Sequence, residues 1–244
     1  MAGKIQIGTS GWAYKEWRGD FYPESLRQAD EFEYYQTQFQ TVELNNSFYR
    51  LPTKETFEHW KSTTNKEFTF SVKASRYITH MKKLKEPIAS SSRFFENVAG
   101  LGGKLAVVLF QLPPHWRYNK ERLSEFLKAP PKGIRYTFEF RDTSWHNNEV
   151  YEMLKNHNCA FCIFDLDRQL SPLEVTADFV YIRLHGPAGK YSGSYSDDEL
   201  VDWADKCRNW SAEGKDVFVY FDNDIGGHAP HDALRLVNLV EVEG

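Results

Sequence analysis

Eight short apolar runs, at residues 5–8, 41–45, 69–73, 105–110, 136–140, 161–164, 179–184 and 217–221, punctuate this chain, with helical patterns between most of them. Each run is too short for a helix and rich in Val, Ile, Phe and Tyr, which makes it a strand. The intervening segments carry helix signals. Phe32, Tyr35 and Phe39 fall at helical spacing, and Thr53 caps a helix with Phe57 and Trp60 on one face. A longer pattern over 88–101 stops at Gly102-Gly103, and shorter ones cover 120–127 and 150–156. Ser196-Asp197-Asp198-Glu199 is a capping box ahead of Leu200, Trp203, Ala204 and Cys207, and Pro230 suits the first turn of a final helix. Strand–helix alternation repeated eight times predicts an α/β protein, a TIM-type (β/α)8 barrel in one domain over 1–244. Between Asp165 and Phe179 the chain is short and holds Pro172, so the sixth helical connection is expected to be irregular or truncated. An open doubly wound sheet would need a G-x-G-x-x-G turn for a dinucleotide, and Gly8-Thr9-Ser10-Gly11-Trp12 does not supply it.

The remaining composition narrows the class. With 244 residues, 41% hydrophobic and 26% charged, the chain can bury one sizeable core. A net charge of −4 argues against a protein coated in nucleic acid, though not against a local basic cleft. No apolar run approaches the length of a membrane span, and Met1-Ala2-Gly3-Lys4 leads straight into a strand without a signal peptide, so a cytoplasmic location is expected. Three cysteines form no disulfide framework. Cys159-Ala160-Phe161-Cys162 enters a strand rather than a helix N-terminus, which favours buried small residues over a redox pair.

Several strands alternate apolar residues with ionisable ones near their C-terminal ends. Val42, Leu44, Phe70, Val72, Phe138, Phe140, Ile182 and Leu184 would pack against helices, leaving Glu43, Lys73, Glu139, Arg141, Arg183 and His185 on the opposite face. Burying so many charges costs several kcal/mol each unless they are paired or solvated, so they read as a site. Barrel sites lie at the C-terminal strand ends, which adds Ser10, Asn45, Gln111, Asp165, Asp222 and Asn223. Glu43 and His185 are the expected proton carriers, with Lys73 on the neighbouring strand placed to depress the Glu43 pKa. Glu139, also a catalytic candidate, lies two residues from Arg141, so the pair reads equally as an architectural ion pair. Lys73, Arg141 and Arg183 are the expected anion binders. The glycine-rich loop after His185, with Gly226-Gly227, falls where barrels often bind phosphate. Loop aromatics, among them Trp12, Tyr14, Trp17, Tyr49, Trp116, Trp145, Tyr191 and Tyr195, suit either stacking on a ligand or packing over the rim. Asp165-x-Asp167, Asp222-x-Asp224 and His228-x-x-His231 supply metal donors without a specific spacing, so no metal and no cofactor are expected.

Ordered motifs run through almost the whole chain: Gly8-Thr9-Ser10-Gly11-Trp12-x-Tyr14-x-x-Trp17, Phe21-Tyr22-Pro23, Val42-Glu43-Leu44-Asn45-x-x-Phe48-Tyr49-Arg50-Leu51-Pro52 and Lys73-x-x-x-x-Ile78-Thr79-His80. They continue with Leu109-Phe110-Gln111-Leu112-Pro113-Pro114, Glu139-Phe140-Arg141-x-x-Ser144-Trp145, Tyr181-x-Arg183-x-His185-Gly186 and Tyr220-Phe221-x-Asn223. In these the chain resembles the YecE-like family, domain of unknown function 72. The resemblance implies a TIM-type barrel and brings no established activity. It also implies a likeness to barrel endonucleases of the endonuclease IV type, whose metal cluster does not suit strand ends occupied by Lys73, Arg141 and Arg183.

Together these readings lead to a metal-independent hydrolase or lyase acting on a phosphorylated, nucleotide-like or other anionic small molecule. Glu43, His185 and Glu139 are its catalytic candidates, and Ser10, Trp12, Asn45, Tyr49, Arg50, Lys73, Gln111, Arg141, Trp145, Arg183, Tyr191 and Asn223 its substrate-binding ones. The alternative is a non-catalytic module binding nucleic acid or another ligand through basic strand ends and rim aromatics, or, as the family resemblance implies, an endonuclease IV-like DNA-processing enzyme.

Overall fold

In a computed structural model, residues 1–241 are described. The strands are β1 (Ile5–Thr9), β2 (Thr41–Leu44), β3 (Thr69–Lys73), β4 (Leu105–Gln111), β5 (Arg135–Glu139), β6 (Ala160–Leu166), β7 (Gln169–Leu170), β8 (Phe179–Leu184) and β9 (Asp216–Phe221). The helices are α1 (Glu31–Gln38), α2 (Asn46–Tyr49), α3 (Lys54–Ser62), α4 (Pro87–Val98), α5 (Lys120–Leu127), α6 (Asn148–Lys155), α7 (Asp197–Ala212) and α8 (His228–Glu241). Strand order is β1-β9-β8-β6-β5-β4-β3-β2, with β7 set antiparallel on β6. A parallel bridge between Ser10 and Glu43 joins the end of β1 to β2, and Gly11 N–H donates to the Glu43 carbonyl at 2.8 Å. This is the TIM-type (β/α)8 fold. Gly8 is required for that approach, because a Cβ there would lie 2.3 Å from the Thr41 carbonyl oxygen.

Helix and strand positions follow the local chemistry. Thr53 accepts from Thr56 N–H at the start of α3, and Ser196 with Glu199 forms a complete capping box on α7. Leu200, Trp203, Ala204 and Cys207 make the buried stripe of α7. No helix forms between β6 and β8, as Pro172 and the short span required. The chain instead folds back as β7, with Asp165 opposite Leu170.

The described residues group into two compact units. The first holds Met1–Glu43, Ile163–Leu173 and the chain from Asp178, and the second holds Leu44–Cys162 and Glu174–Ala177. In the first, β1 pairs with β9 and β9 with β8, all parallel, with α8 packed on β1 and on α7. In the second, β3, β4 and β5 are parallel neighbours around an aromatic stack. Phe110 lies 5.3 Å from Phe138, Phe138 lies 6.0 Å from Phe140, and Phe140 lies 4.8 Å from Trp145 between ring centroids. No helix among the described residues is long and apolar enough to cross a membrane.

Candidate active site

Alternation along β8 sends Tyr181, Arg183 and, just past its end, His185 to one face, away from Ile182 and Leu184. The pairing of β8 with β9 and of β9 with β1, together with the Ser10–Glu43 bridge, brings Asp222, Ser10 and Glu43 beside them. The Arg183 guanidinium organises this group. Its Nη2 lies 2.8 Å from Glu43 Oε1 and 2.8 Å from Asp222 Oδ2, and its Nε donates to Glu43 Oε2 at 3.0 Å. Glu43 also accepts from Ser10 Oγ at 2.6 Å and from Tyr181 Oη at 2.7 Å. Burial, then the Glu43 charge, pushes the Tyr181 phenol far above its usual pKa, so it stays a donor.

His185 sits between the cation and the second carboxylate. Arg183 Nη1 lies 3.3 Å from His185 Nε2, and an arginine N–H can only donate. That assigns Nε2 as the acceptor and places the ring proton on Nδ1, which lies 3.0 Å from Asp222 Oδ2. The side chains of Glu43, Arg183 and His185 are fully buried, whereas that of Asp222 is 12% exposed. A buried network of charges thus reaches solvent at one carboxylate.

Asp224, two residues further on, stands in a different environment. Burial, followed by the Asp222 charge, raises its pKa well above the usual carboxylate range. Its Oδ1 is buried and has no hydrogen-bond partner in the protein. The Tyr14 hydroxyl donates to the Ser10 carbonyl, and burial, then the Asp224 charge, raises its pKa.

The loop after β8 is pinned rather than open. Asn223 Nδ2 donates to Gly193 O and to Asp232 Oδ2, both at 2.8 Å, and Tyr195 N–H donates to the same Asp232 oxygen at 3.0 Å. Gly186 N–H goes to Tyr195 Oη, Ala188 N–H to Ser192 O, Ser192 N–H to Gly189 O, and Gly227 N–H to Asp224 O. These amides are spent inside the protein, so they do not form the phosphate cradle that the glycines suggested. Gly186 itself is obligatory: at φ 101° a Cβ would lie 2.2 Å from the Ser192 carbonyl oxygen. Tyr191 covers His185 edge-on at 5.4 Å. Trp12 packs on Phe32 at 4.4 Å, and Trp17, fully buried, sits against Tyr14, Phe21 and Tyr22, so these N-terminal aromatics pack largely on one another.

The second unit holds the other candidates. Arg141 Nε donates to Glu139 Oε1, so the pair two residues apart is a close ion pair, with Glu139 fully buried. Lys73 Nζ lies 4.6 Å from the Phe48 ring centroid, and Phe48 meets His80 edge-on at 5.0 Å. His80 belongs to a π-helical turn, Tyr77–Met81, and its Nδ1 lies 2.9 Å from Thr79 Oγ1. Burial, then the charges of Lys73, Arg76 and Arg141, depress the His80 pKa to about 4. Asn45 precedes α2 with its Oδ1 buried and unpartnered, and Gln111 is buried at the end of β4. Tyr49 and Arg50 are exposed beside a groove of about 460 Å³ lined by Leu51, Pro52 and Thr53. Trp145 corrects the sequence reading. It is fully buried on the Phe140 ring with its indole N–H on the Trp116 carbonyl at 2.6 Å, so it packs the core and offers no surface to a ligand.

Among the described residues, no group of three or more His, Cys, Asp or Glu side chains is disposed to hold a metal ion. In the sequence Asp222 is legible as a strand-end site residue and a metal donor, Asp224 only as a metal donor, and Tyr14 as a ring for stacking or rim packing. The available signal was Asp222-x-Asp224 immediately after the last strand, two carboxylates two residues apart at a strand end.

The family described as protein of unknown function DUF72 matches residues 6–244. The chain belongs to the DUF72 family. A DUF72 relative, the UPF0759 protein YunF of Bacillus subtilis (strain 168), is 27% identical over 98% of this chain and 95% of its own length. The crystal structure of a DUF72 family protein from Thermotoga maritima MSB8 superposes with a TM-score of 0.87 at 29% identity, covering 98% of this chain and 99% of that one. Another from Enterococcus faecalis V583, 20% identical, shares the fold with a TM-score of 0.82 over 98% and 96% of the two chains. None of these descriptions names an activity.

Proposed function

We propose that this DUF72 protein is a hydrolase or lyase whose proton transfers run through the strand-end cluster of its first unit. One observation carries the reading: Asp222 is the partly exposed end of a network whose other charges are fully buried. Burying Glu43, Arg183 and His185 is expensive, and a packed apolar cluster of the same volume would serve stability as well or better. Such a network earns its place by fixing one carboxylate in position and charge state. On this reading Asp222 is the base, Arg183 keeps it ionised, and His185 packs beside it with Nδ1 3.0 Å from Asp222 Oδ2. Glu43 and His185, the proton carriers expected from the sequence, become positioning residues, because donors occupy both Glu43 oxygens and neither side chain reaches solvent.

Arg183 is balanced by two carboxylates and brings no net attraction for an anion. The second unit carries cations of its own: the charges of Lys73 and Arg76 add to the burial that lowers the His80 pKa, while Arg141 is paired with Glu139. They favour the second reading, an anion-binding module without catalysis. Screening the protein against phosphorylated and glycosidic small molecules, with Asp222→Asn and His185→Ala in parallel, separates the two. Catalysis predicts a turned-over substrate, a loss of about 10²-fold or more for Asp222→Asn, and a smaller loss for His185→Ala. Binding without turnover, weakened by Lys73→Met and indifferent to Asp222→Asn, supports the module instead.

A further inference from the structure

We propose that the cavity between the β6–β7 turn and α7 is a second binding site, built for a small organic ammonium ion. Asp165 and Glu199 would receive its charge, and Leu170, Pro187 and Trp203 would cover its apolar part. The proposal goes beyond the acid–base reading and stands or falls independently of the role of Asp222.

The cavity holds about 340 Å³, within the range of small-molecule sites, and every residue lining it belongs to the first unit. It lies where the chain folds back as β7 in place of a sixth helix. Helical spacing puts Glu199, Asp202, Trp203 and Lys206 of α7 on the face that lines it. From the loop after β8 comes Tyr195, which is buried. Its hydroxyl accepts from Gly186 N–H at 3.0 Å and gives its one hydrogen to Asp165 Oδ2, also at 3.0 Å. The Asp165 carbonyl in turn accepts from His185 N–H at 2.9 Å. These bonds hold the half-buried Asp165 side chain in one position and leave its second oxygen for the cavity it lines.

The charges around the cavity are divided unevenly. Lys206 is paired with Asp202 and lies 5.5 Å from the Trp203 ring centroid. Arg168 is exposed at the tip of the β6–β7 turn. Asp165 forms no ion pair, and the groups acting on its carboxyl are the Tyr195 hydroxyl and the Glu199 charge. Glu199 Oε2 accepts from Ser196 N–H and Oγ, both at 2.8 Å, in the capping box, which leaves its negative charge uncancelled. Burial and that neighbouring charge raise the Asp165 pKa, so an ionised Asp165 is held at a cost that an incoming cation relieves. An asparagine would serve Tyr195 equally well as an acceptor, so anchoring the loop does not account for the charge. Leu170, half exposed on β7, and Pro187 add an apolar wall beside it, which suits an alkyl ammonium rather than a bare inorganic cation.

Titration of 15N-labelled protein with n-hexylammonium chloride, followed at the Trp203 indole and at the Leu170 and Gly186 amides, tests the site without a substrate. The expected result is a saturable shift of these signals. With 1-hexanol, which keeps the chain and drops the charge, binding should be weaker by about 10-fold or more. Asp165→Asn, whose amide oxygen still accepts from Tyr195, should weaken hexylammonium by about the same factor and leave hexanol unchanged. Leu170→Ser, at a half-exposed position that the core does not need, should weaken hexylammonium several-fold and spare methylammonium. No saturable shift at the Trp203 indole, hexanol binding as tightly as hexylammonium, or Asp165→Asn binding hexylammonium as tightly as the intact protein overturns the assignment. The comparison with hexanol uses the intact protein alone, so it decides the matter even if Asp165→Asn does not fold.

Discussion

Replacing Glu43 with Gln removes the anion at the centre of the buried network while almost preserving shape. Both Glu43 oxygens accept from Arg183, and Ser10 Oγ and Tyr181 Oη complete the set. A glutamine keeps one acceptor oxygen and turns an NH2 group toward donors, so at least one buried donor loses its partner and Arg183 loses half of its counter-charge. Breaking a buried pair from one side costs about 3–5 kcal/mol. Asp222 remains 2.8 Å from Arg183, so the lower end of that range, about 3 kcal/mol, is expected. For a chain of this size that corresponds to a Tm lower by about 6–12 °C. Urea unfolding monitored by tryptophan fluorescence measures the loss, with an unchanged m-value marking it as a native-state effect. Combining Glu43→Gln with Arg183→Met should recover about 1–3 kcal/mol relative to the sum of the single changes. A loss under 1 kcal/mol for Glu43→Gln, with no coupling in the cycle, would mean that the network is not held together as described.

Other expectations follow from single groups. Trp145→Ala should cost about 3–5 kcal/mol, as emptying a large core site does, whereas a ligand-facing tryptophan would cost little; denaturant midpoints decide. The His80 ring, followed by its Cε1–H resonance, should titrate near pH 4, and Lys73→Met should move it back toward 6.5. Because its folded value is the lower one, the unfolded chain binds more protons between those limits, so this group lowers stability as pH falls from 6.5 to 4. Asp224 has the opposite sign. Above pH 3.8 the native state holds the extra proton, stability declines as pH rises, and Asp224→Asn should flatten the slope by up to about 1.4 kcal/mol per pH unit. Cys159 and Cys207, buried with thiols pushed up to about 12, and buried Cys162 should all resist a thiol reagent at pH 8 until the protein is unfolded.

Much of the fold is legible in the sequence because its strands are short, β-branched or aromatic, and separated by capped helices. The expected 69–73 and 179–184 coincide with β3 and β8, and 120–127 with α5. Chain length and Pro172 suffice to remove the sixth helix, but the two-residue strand β7 is too short to show a period. The π-helical turn at Tyr77–Met81 leaves no periodic trace either. Side-chain pairing divides by sequence distance. Glu139 and Arg141 lie two residues apart, so their ion pair is readable from spacing. The cation on Glu43 is Arg183, 140 residues away, and neighbouring-strand logic pointed to Lys73 instead. Trp145 looks like a rim aromatic because it follows a strand, yet the stack of Phe138 and Phe140 draws it inside. Asp222 and Asp224 share a short segment, but what distinguishes them (Arg183 and His185 against Tyr14 and a buried gap) comes from β8 and the loop after β1.

The central claim is that the buried network serves one carboxylate, Asp222. The pH dependence of kcat/KM for the intact protein and for Asp222→Asn, on the same substrate, tests it most directly. The account predicts a bell-shaped profile for the intact protein, and for Asp222→Asn a fall of about 10²-fold or more with the acid limb lost. An Asp222→Asn profile that overlays that of the intact protein, limb for limb, would contradict it.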